Sequence, residues 1–320
     1  MTNVAENMQR QADEFRTRYT AVREEIGKTI VGHDEIVHGV LTCLFVGGHC
    51  LLEGVPGLGK TMLVRTLSEA LSLHFSRIQF TPDLMPADIL GTNMIVENEQ
   101  GRKAFEFQKG PIFTQICLAD EINRATPKTQ SALLETMQEG TITVAGQRYQ
   151  LDKPFLVLAT QNPIEQEGTY PLPEAQLDRF AMKLEIGYPD RAAQLSILKL
   201  KTRSSSDGVA TSLSVDDLAH AQRRVSEILV AESVQHYIIS LCEQSRQHAQ
   251  VVLGVSPRGM LLWQEVAKAW ALLHDRDFVI PDDIQAVAAP VLGVRLVVRN
   301  ANTTDVIHSI LEAVDVPSYR

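Results

Sequence analysis

Leu51-Leu52-Glu53-Gly54-Val55-Pro56-Gly57-Leu58-Gly59-Lys60-Thr61 is the stretch on which the fold turns. The apolar run His49 to Leu52 reads as a buried strand, a glycine-rich turn follows, and Met62 to Leu71 has helical spacing. Gly54 to Thr61 satisfies G-x-x-x-x-G-K-[ST] at every required position, between a strand and a helix, where the pattern has meaning. Glycines let backbone N–H groups curl around a phosphate at the positive end of the following helix. Lys60 then reaches the β- and γ-phosphates, and the Thr61 hydroxyl binds Mg²⁺. A chance match in a chain of this length is roughly a one-in-a-hundred event. The turn predicts a nucleoside triphosphate site formed by Gly54, Pro56, Gly57, Leu58, Gly59, Lys60, Thr61 and Met62.

Downstream, His74 to Phe80 reads as a second strand and Thr81 to Pro86 as a turn with two prolines. Met94 to Phe107 reads as two short strands around Glu99-Gln100-Gly101. Ile112 to Glu121 is an apolar run ending in Asp120-Glu121, as expected of a parallel strand buried on both faces. Such strands deliver their last residues to the carboxyl edge, where open α/β sheets bind ligands. In P-loop enzymes an acidic residue at this place holds Mg²⁺, which pairs Asp120 with Thr61 as metal ligands. Glu121 beside it is placed to polarise an attacking water as general base. Thr126-Pro127 opens a helix to Glu139, and Thr141 to Leu151 reads as a hairpin turning at Ala145-Gly146. Phe155 to Thr160 is another buried strand, and it brings Asn162 to the same edge, within reach of a γ-phosphate or the water. Glu165 to Pro173 has the composition of an exposed loop. Glu174 to Phe180 reads as a helical turn carrying Asp178-Arg179, and Met182 to Ile186 as the last strand.

Upstream, residues 8–27 read as a surface helix with scattered apolar positions at Met8, Phe15, Tyr19, Val22 and Ile26. Ile30-Val31-Gly32-His33 separates it from a second helix, Glu35 to Leu44. Val31 and Gly32 read either as the wall of an adenine pocket or as a plain helix-entry turn, and spacing does not separate the two. Beyond Pro189 the period is helical throughout, over Arg191–Lys201, Asp216–Ile228, Glu232–His248, Pro257–His274 and Asp282–Ala289. Arg203 to Gly208 reads as a loop between the first two. Strands alternating with helices, then helices alone, predict an α/β fold. Its mostly parallel, five-stranded core is expected over residues 1–188 and an all-α domain over 189–320.

Composition narrows the function. At 320 residues, with 44% hydrophobic and 22% charged residues, the chain can form two packed cores. A net charge of −9 opposes non-specific binding to nucleic acid or anionic membrane. The four cysteines show no C-x-x-C spacing, and three lie in apolar runs, as buried free thiols of a reducing compartment would. The start, Met1 to Glu6, is polar and acidic, and no apolar run approaches the ~20 residues a bilayer requires. A cytoplasmic protein with no membrane span and no nucleic-acid partner is expected.

Five separated blocks resemble, in order, the MoxR family of AAA+ ATPases: Gly54–Thr61, Leu118–Ala125, Ala159–Pro163, Tyr170–Phe180 and Ser256–Arg258. The resemblance runs from about Ile30 to Pro317. It implies a P-loop core with a helical lid, binding ATP and Mg²⁺, assembled as a homo-oligomeric ring, commonly a hexamer, with ATP between subunits. It also implies that Met94–Phe107 is the family's helix-2 insert and Thr141–Leu151 its pre-sensor hairpin. On matching positions Asn162 resembles sensor 1, Arg179 an arginine finger offered to a neighbour's γ-phosphate, and Arg258 sensor 2. A finger supplied in trans stabilises charge developing in the transition state and is worth about 10³–10⁵ in rate. Whether Arg258 serves its own or a neighbouring nucleotide is left open. The residues alone also allow Arg179 an ion pair with Asp178 or Glu174, and Arg258 a solvated place at a helix start. Arg124 reads either as a contact to a neighbouring subunit or as the partner of a carboxylate. In one departure, Gly293-Val294-Arg295-Leu296 lacks a histidine that the family pattern places beside the arginine.

The resemblance implies a chaperone-type ring motor that remodels or matures partners, associated with von Willebrand factor A domain proteins and with cofactor or metal insertion. A nucleotide-gated scaffold with little turnover is the alternative. Glu121, Asn162 and Arg179 count against it, because binding alone needs none of them. A nucleic-acid translocase is weaker still, given the net charge and a hairpin with only Arg102 and Lys103 as nearby cations.

Overall fold

The apolar runs of the first half gather into one sheet because each central strand is hydrophobic on both faces. The structure, a computed structural model, describes residues 17–97, 103–163, 168–200 and 213–317. The core begins with α1 (17–29), α2 (Asp34–Val46), β1 (Cys50–Glu53), α3 (Lys60–Ala70), β2 (Phe75–Gln79) and α4 (Pro86–Leu90). A hairpin of β3 (Gly91–Glu97) and β4 (Lys103–Lys109) follows, then β5 (Ile116–Asp120) and α5 (Pro127–Glu139). A second hairpin, β6 (Thr141–Val144) and β7 (Gln147–Gln150), leads to β8 (Leu156–Gln161), α6 (Glu174–Leu177) and β9 (Met182–Glu185). Beyond β9 the chain comprises α7 (Arg191–Leu200), α8 (Val215–Glu227), α9 (Glu232–Gln247), β10 (Val251–Leu253) and α10 (Pro257–Leu273). It ends with α11 (Pro281–Ala286), α12 (Ala288–Leu292), β11 (Val297–Val298) and α13 (Thr303–Glu312).

Five parallel strands pair in the order β2-β5-β8-β1-β9. Cys50 and Leu52, Ile116 and Leu118, and Leu156 and Leu158 face one apolar cluster, which runs through α2 and α3 into the lid. Their alternating neighbours Leu51, Cys117, Ala119, Val157 and Ala159 face a second cluster with α5. Polar groups are thereby pushed to the strand ends. Glu53, Asp120 and Gln161 end β1, β5 and β8 at one carboxyl edge, with Glu53 beside Gln161 and Gln79 beside Asp120.

Several expectations are corrected. The helix 17–29 is not a surface helix, since Tyr19, Val22 and Ile26 are buried in the first cluster. Residues 8–16, Glu99-Gln100-Gly101 with Arg102, Glu165 to Glu167 and Arg203 to Gly208 lie outside the described residues. The strand ending at Asp120 starts only at Ile116, because Gly110-Pro111 opens a turn before it. The lid is helical but not wholly so: β10 and β11 pair antiparallel at Val251 and Val298. The helix expected over Asp282–Ala289 ends at Ala286, and α12 begins at Ala288. Pro290 has no N–H to bond back to Ala286, so one continuous helix would break its ladder there. The closing helix, α13, was also unforeseen, although Asn302 signals it by accepting the Thr304 N–H.

In the second hairpin, Ala145 (φ 50°) and Gly146 (φ 80°) are both left-handed, the pair a type I′ turn needs. Phe107 of the first hairpin stacks on Tyr149 of the second, ring centroids 4.2 Å apart. All four cysteines are free and buried. Among the described residues no helix is long and apolar enough to cross a membrane.

Candidate active site

The glycines of the first turn serve different ends. A Cβ on Gly54 would lie 2.6 Å from the Ile186 carbonyl oxygen, so this glycine permits the close approach of β1 to the chain leaving β9. Gly57 (φ 86°) and Gly59 (φ 79°) are left-handed, and a Cβ at either would meet nothing within 4 Å. The turn therefore arches over open space and delivers α3, whose first turn carries no acidic side chain to occupy its positive end. The Lys60 ammonium donates to the Gly54 carbonyl at 2.6 Å. Partial burial lowers its pKa, against the opposing pull of Asp120, Glu121 and Glu53. A partly desolvated ammonium under an open loop is suited to a phosphate.

A cavity of about 530 Å³ opens beside this turn, in the size range of small-molecule sites. Val31, Gly57, Leu58, Gly59, Lys60 and Met62 line it. Ile30, Ile186, Pro189 and Ile197 give it an apolar wall drawn from both core and lid. Of the two meanings open to Val31 and Gly32, the wall fits Val31. Gly32 instead packs on the lid, where an added Cβ would lie 2.6 Å from the Ala193 Cβ. Gly54, Pro56 and Thr61 do not line the cavity; Thr61 is the second residue of α3.

At the neighbouring edge the acids are held by a network that sequence reading missed. The buried Thr160 hydroxyl donates to Asp120 Oδ1 at 2.6 Å and accepts the Glu121 N–H at 2.8 Å. Arg77 on β2 pairs with Asp120 Oδ2 at 2.6 Å. Gln79, also on β2, donates to Glu121 Oε2 at 2.8 Å, and Arg124 pairs with the same oxygen at 3.0 Å. Glu121 itself is left-handed, with φ 58°. Of its two alternatives, Arg124 thus has a carboxylate partner in its own chain. A hydroxyl residue closing an otherwise apolar strand was the one signal for Thr160. Gln79 and Arg77 become visible only once β2 is registered against β5.

Magnesium takes one or two carboxylates and completes its octahedron with phosphate oxygens and water. Asp120, with the Thr61 hydroxyl at the start of α3, supplies such a donor set. Among the described residues there is no cluster of three or more His, Cys, Asp and Glu that would form a cage by itself. The residues present therefore fit a cation brought with a triphosphate.

Asn162 is buried one residue beyond β8, between the strand that ends in Asp120 and the strand that enters the glycine turn. Arg179 and Arg258 are not brought to the cavity of their own chain. Arg179 forms neither of the ion pairs open to it and donates to the Leu134 carbonyl of α5 at 2.7 Å. Its neighbour Asp178 is engaged by Ser256 and Arg295. Arg258 is exposed in the first turn of α10 and has no side-chain hydrogen bond or ion pair among the described residues.

Comparison with known proteins finds relatives along nearly the whole chain. The model of the ATPase family associated with various cellular activities matches residues 49–182, and that of the AAA lid domain matches residues 243–313. The protein YeaC of Bacillus subtilis is 46% identical over 304 residues, covering 93% of this chain and 94% of its own. The chaperone MoxR1 of Mycobacterium tuberculosis is 41% identical over 308 residues, covering 92% of this chain and 81% of its own. A crystal structure from Cytophaga hutchinsonii, described as that of a candidate ATPase, superposes with a TM-score of 0.90 at 39% identity. That match covers 98% of this chain and 99% of the other.

Proposed function

The chain belongs to the MoxR family of AAA+ ATPases, and from that premise we propose that it hydrolyses ATP in a homo-oligomeric ring and remodels partner proteins. The observation that supports the proposal is that Asp120, Glu121 and Asn162 follow β5 and β8 at one sheet edge, with both acids near enough to act on Lys60, which lines the cavity. Backbone N–H groups of the Gly57–Gly59 turn and Lys60 bind the phosphates, and the Val31–Ile186 wall takes the adenine. Thr61 and Asp120 would hold Mg²⁺, which when bound neutralises charge on the phosphate oxygens. Glu121 accepts the proton of the attacking water, while Thr160 fixes the backbone from which it reaches. Asn162 orients that water or the γ-phosphate. Arg179 of an adjacent copy completes the site, which makes hydrolysis depend on assembly, and Arg258 senses the phosphates from the lid. We place the division between nucleotide core and lid at Tyr188-Pro189.

The chaperone name of the mycobacterial relative supports partner remodelling as the output. We take the ring to be hexameric and cytoplasmic, its clients to include a von Willebrand factor A domain protein, and nucleic acid to play no part. Mg²⁺-dependent phosphate release should rise per chain with protein concentration; a rate independent of concentration would overturn the shared site. Capture by the Glu121→Gln form with ATP should return a von Willebrand factor A domain protein, and DNA-stimulated turnover would count against the client reading.

A further inference from the structure

Three segments far apart in sequence meet beneath the lid. The first is the turn after α6, Asp178 to Ala181, which carries Arg179. The second is the start of α10, where Ser256 precedes Arg258. The third is Arg295, beyond α12. Ser256 Oγ accepts the Gly259 N–H at 3.0 Å, capping α10, and donates to Asp178 Oδ2 at 2.9 Å. The Arg295 side chain is 2% exposed, with Nε 3.0 Å from Asp178 Oδ1 but outside hydrogen-bond alignment. Its other nitrogens donate to the carbonyls of Phe180 at 2.6 Å, Ala181 at 3.2 Å and Val291 at 2.6 Å. Gly259 makes room for it: a Cβ there would lie 2.8 Å from Arg295 Cδ. One guanidinium thus holds both the backbone and the carboxylate of the turn that presents Arg179.

The same lid contributes Ile197 to the wall of the cavity. A nucleotide in that cavity touches core and lid together, and the junction ties the lid to the turn. We propose that Asp178, Arg295 and Ser256 are positioning residues that lock the Arg179 turn to the lid, so that the lid of one chain sets how its finger meets the next chain's nucleotide. This rests on Arg179 acting in trans. A buried ion pair is a poor source of stability compared with apolar packing, and it is better suited to specifying one arrangement.

The experiment mixes two inactive chains. Lys60→Ala keeps its finger but lacks a nucleotide site; Arg179→Ala keeps its site but lacks the finger. Their mixture should recover Mg²⁺-dependent ATPase at least tenfold above either alone. Adding Arg295→Met to the finger donor should remove at least ten-fold of that recovery. The same change on the Arg179→Ala chain should cost less than threefold. Equal loss in both arms, or undiminished recovery with the altered donor, would overturn the junction while leaving the finger in place. No recovery in the parent mixture would overturn the finger itself, and the junction's role with it. Melting and gel filtration of each mixture check folding and assembly. Should Arg295→Met fail either, Ser256→Ala, which removes the Asp178 bond together with the α10 cap but leaves Arg295 in place, must show the same asymmetry.

Discussion

The sheet edge around Asp120 and the junction around Arg295 both gather charge, yet water reaches one and not the other. At the edge, Arg77 and Arg124 keep 46% and 43% of their side-chain surface exposed, where ion pairs are worth about 0–1 kcal/mol. At the junction, burial pushes the Arg295 pKa down to about 10, Asp178 opposes the shift, and the group stays cationic at neutral pH. Weakly held partners can be exchanged for a triphosphate and its cation. A buried guanidinium bonded to three carbonyls cannot trade partners without moving the segments it joins. On the proposed reading, the first region serves chemistry and the second registration.

Four tests would break or sharpen that contrast. Lys60→Ala should lower nucleotide affinity about 100-fold or more, by fluorescent-nucleotide titration, since a buried charge contact of this kind is worth 2–5 kcal/mol. Retained affinity would remove the edge as the site. Arg295→Ala should cost about 3–5 kcal/mol in denaturant unfolding, against about 1 kcal/mol or less for Arg77→Ala. Comparable losses would erase the distinction drawn here.

A third buried group tests burial alone. His49 accepts the Val157 N–H at Nδ1 and bonds the Met137 carbonyl at Nε2, and burial lowers its pKa to about 4. Between pH 6.5 and 4 the unfolded chain binds the proton and the folded chain does not. His49 therefore contributes fully above about pH 6.5 and loses about 2 kcal/mol by pH 5. His38, lowered to about 4 chiefly by burial, adds in the same direction. Urea midpoints at the two pH values should differ accordingly, and His49→Gln should flatten the difference. The smallest effect is expected from Thr160→Val. It should slow turnover about tenfold with about 1 kcal/mol lost in stability, through one misaimed carboxylate.

The phosphate turn and Asp120-Glu121 were legible because phosphate binding imposes residue identity at local spacing, and apolar runs announced the sheet. Thr160, Gln79 and Arg295 were not. Thr160 looks like any strand residue until its neighbours are paired, and Gln79 acts across a strand boundary. Arg295 finds its carboxylate on the far side of the core–lid division. The short β10–β11 ribbon offers too few residues for a period, and the scattered apolar positions of α1 do not reveal that they are buried in the first cluster. Local chemistry leaves a local mark; long-range registration does not.

Glu121 keeps an L side chain in a backbone region that glycine occupies freely, at a cost of about 1–2 kcal/mol. Heat selection on random variants of this chain, blind to phosphate release, should therefore enrich glycine or asparagine at that position. Survivors would melt later and no longer turn over, because the backbone conformation that aims the carboxylate also weakens the fold.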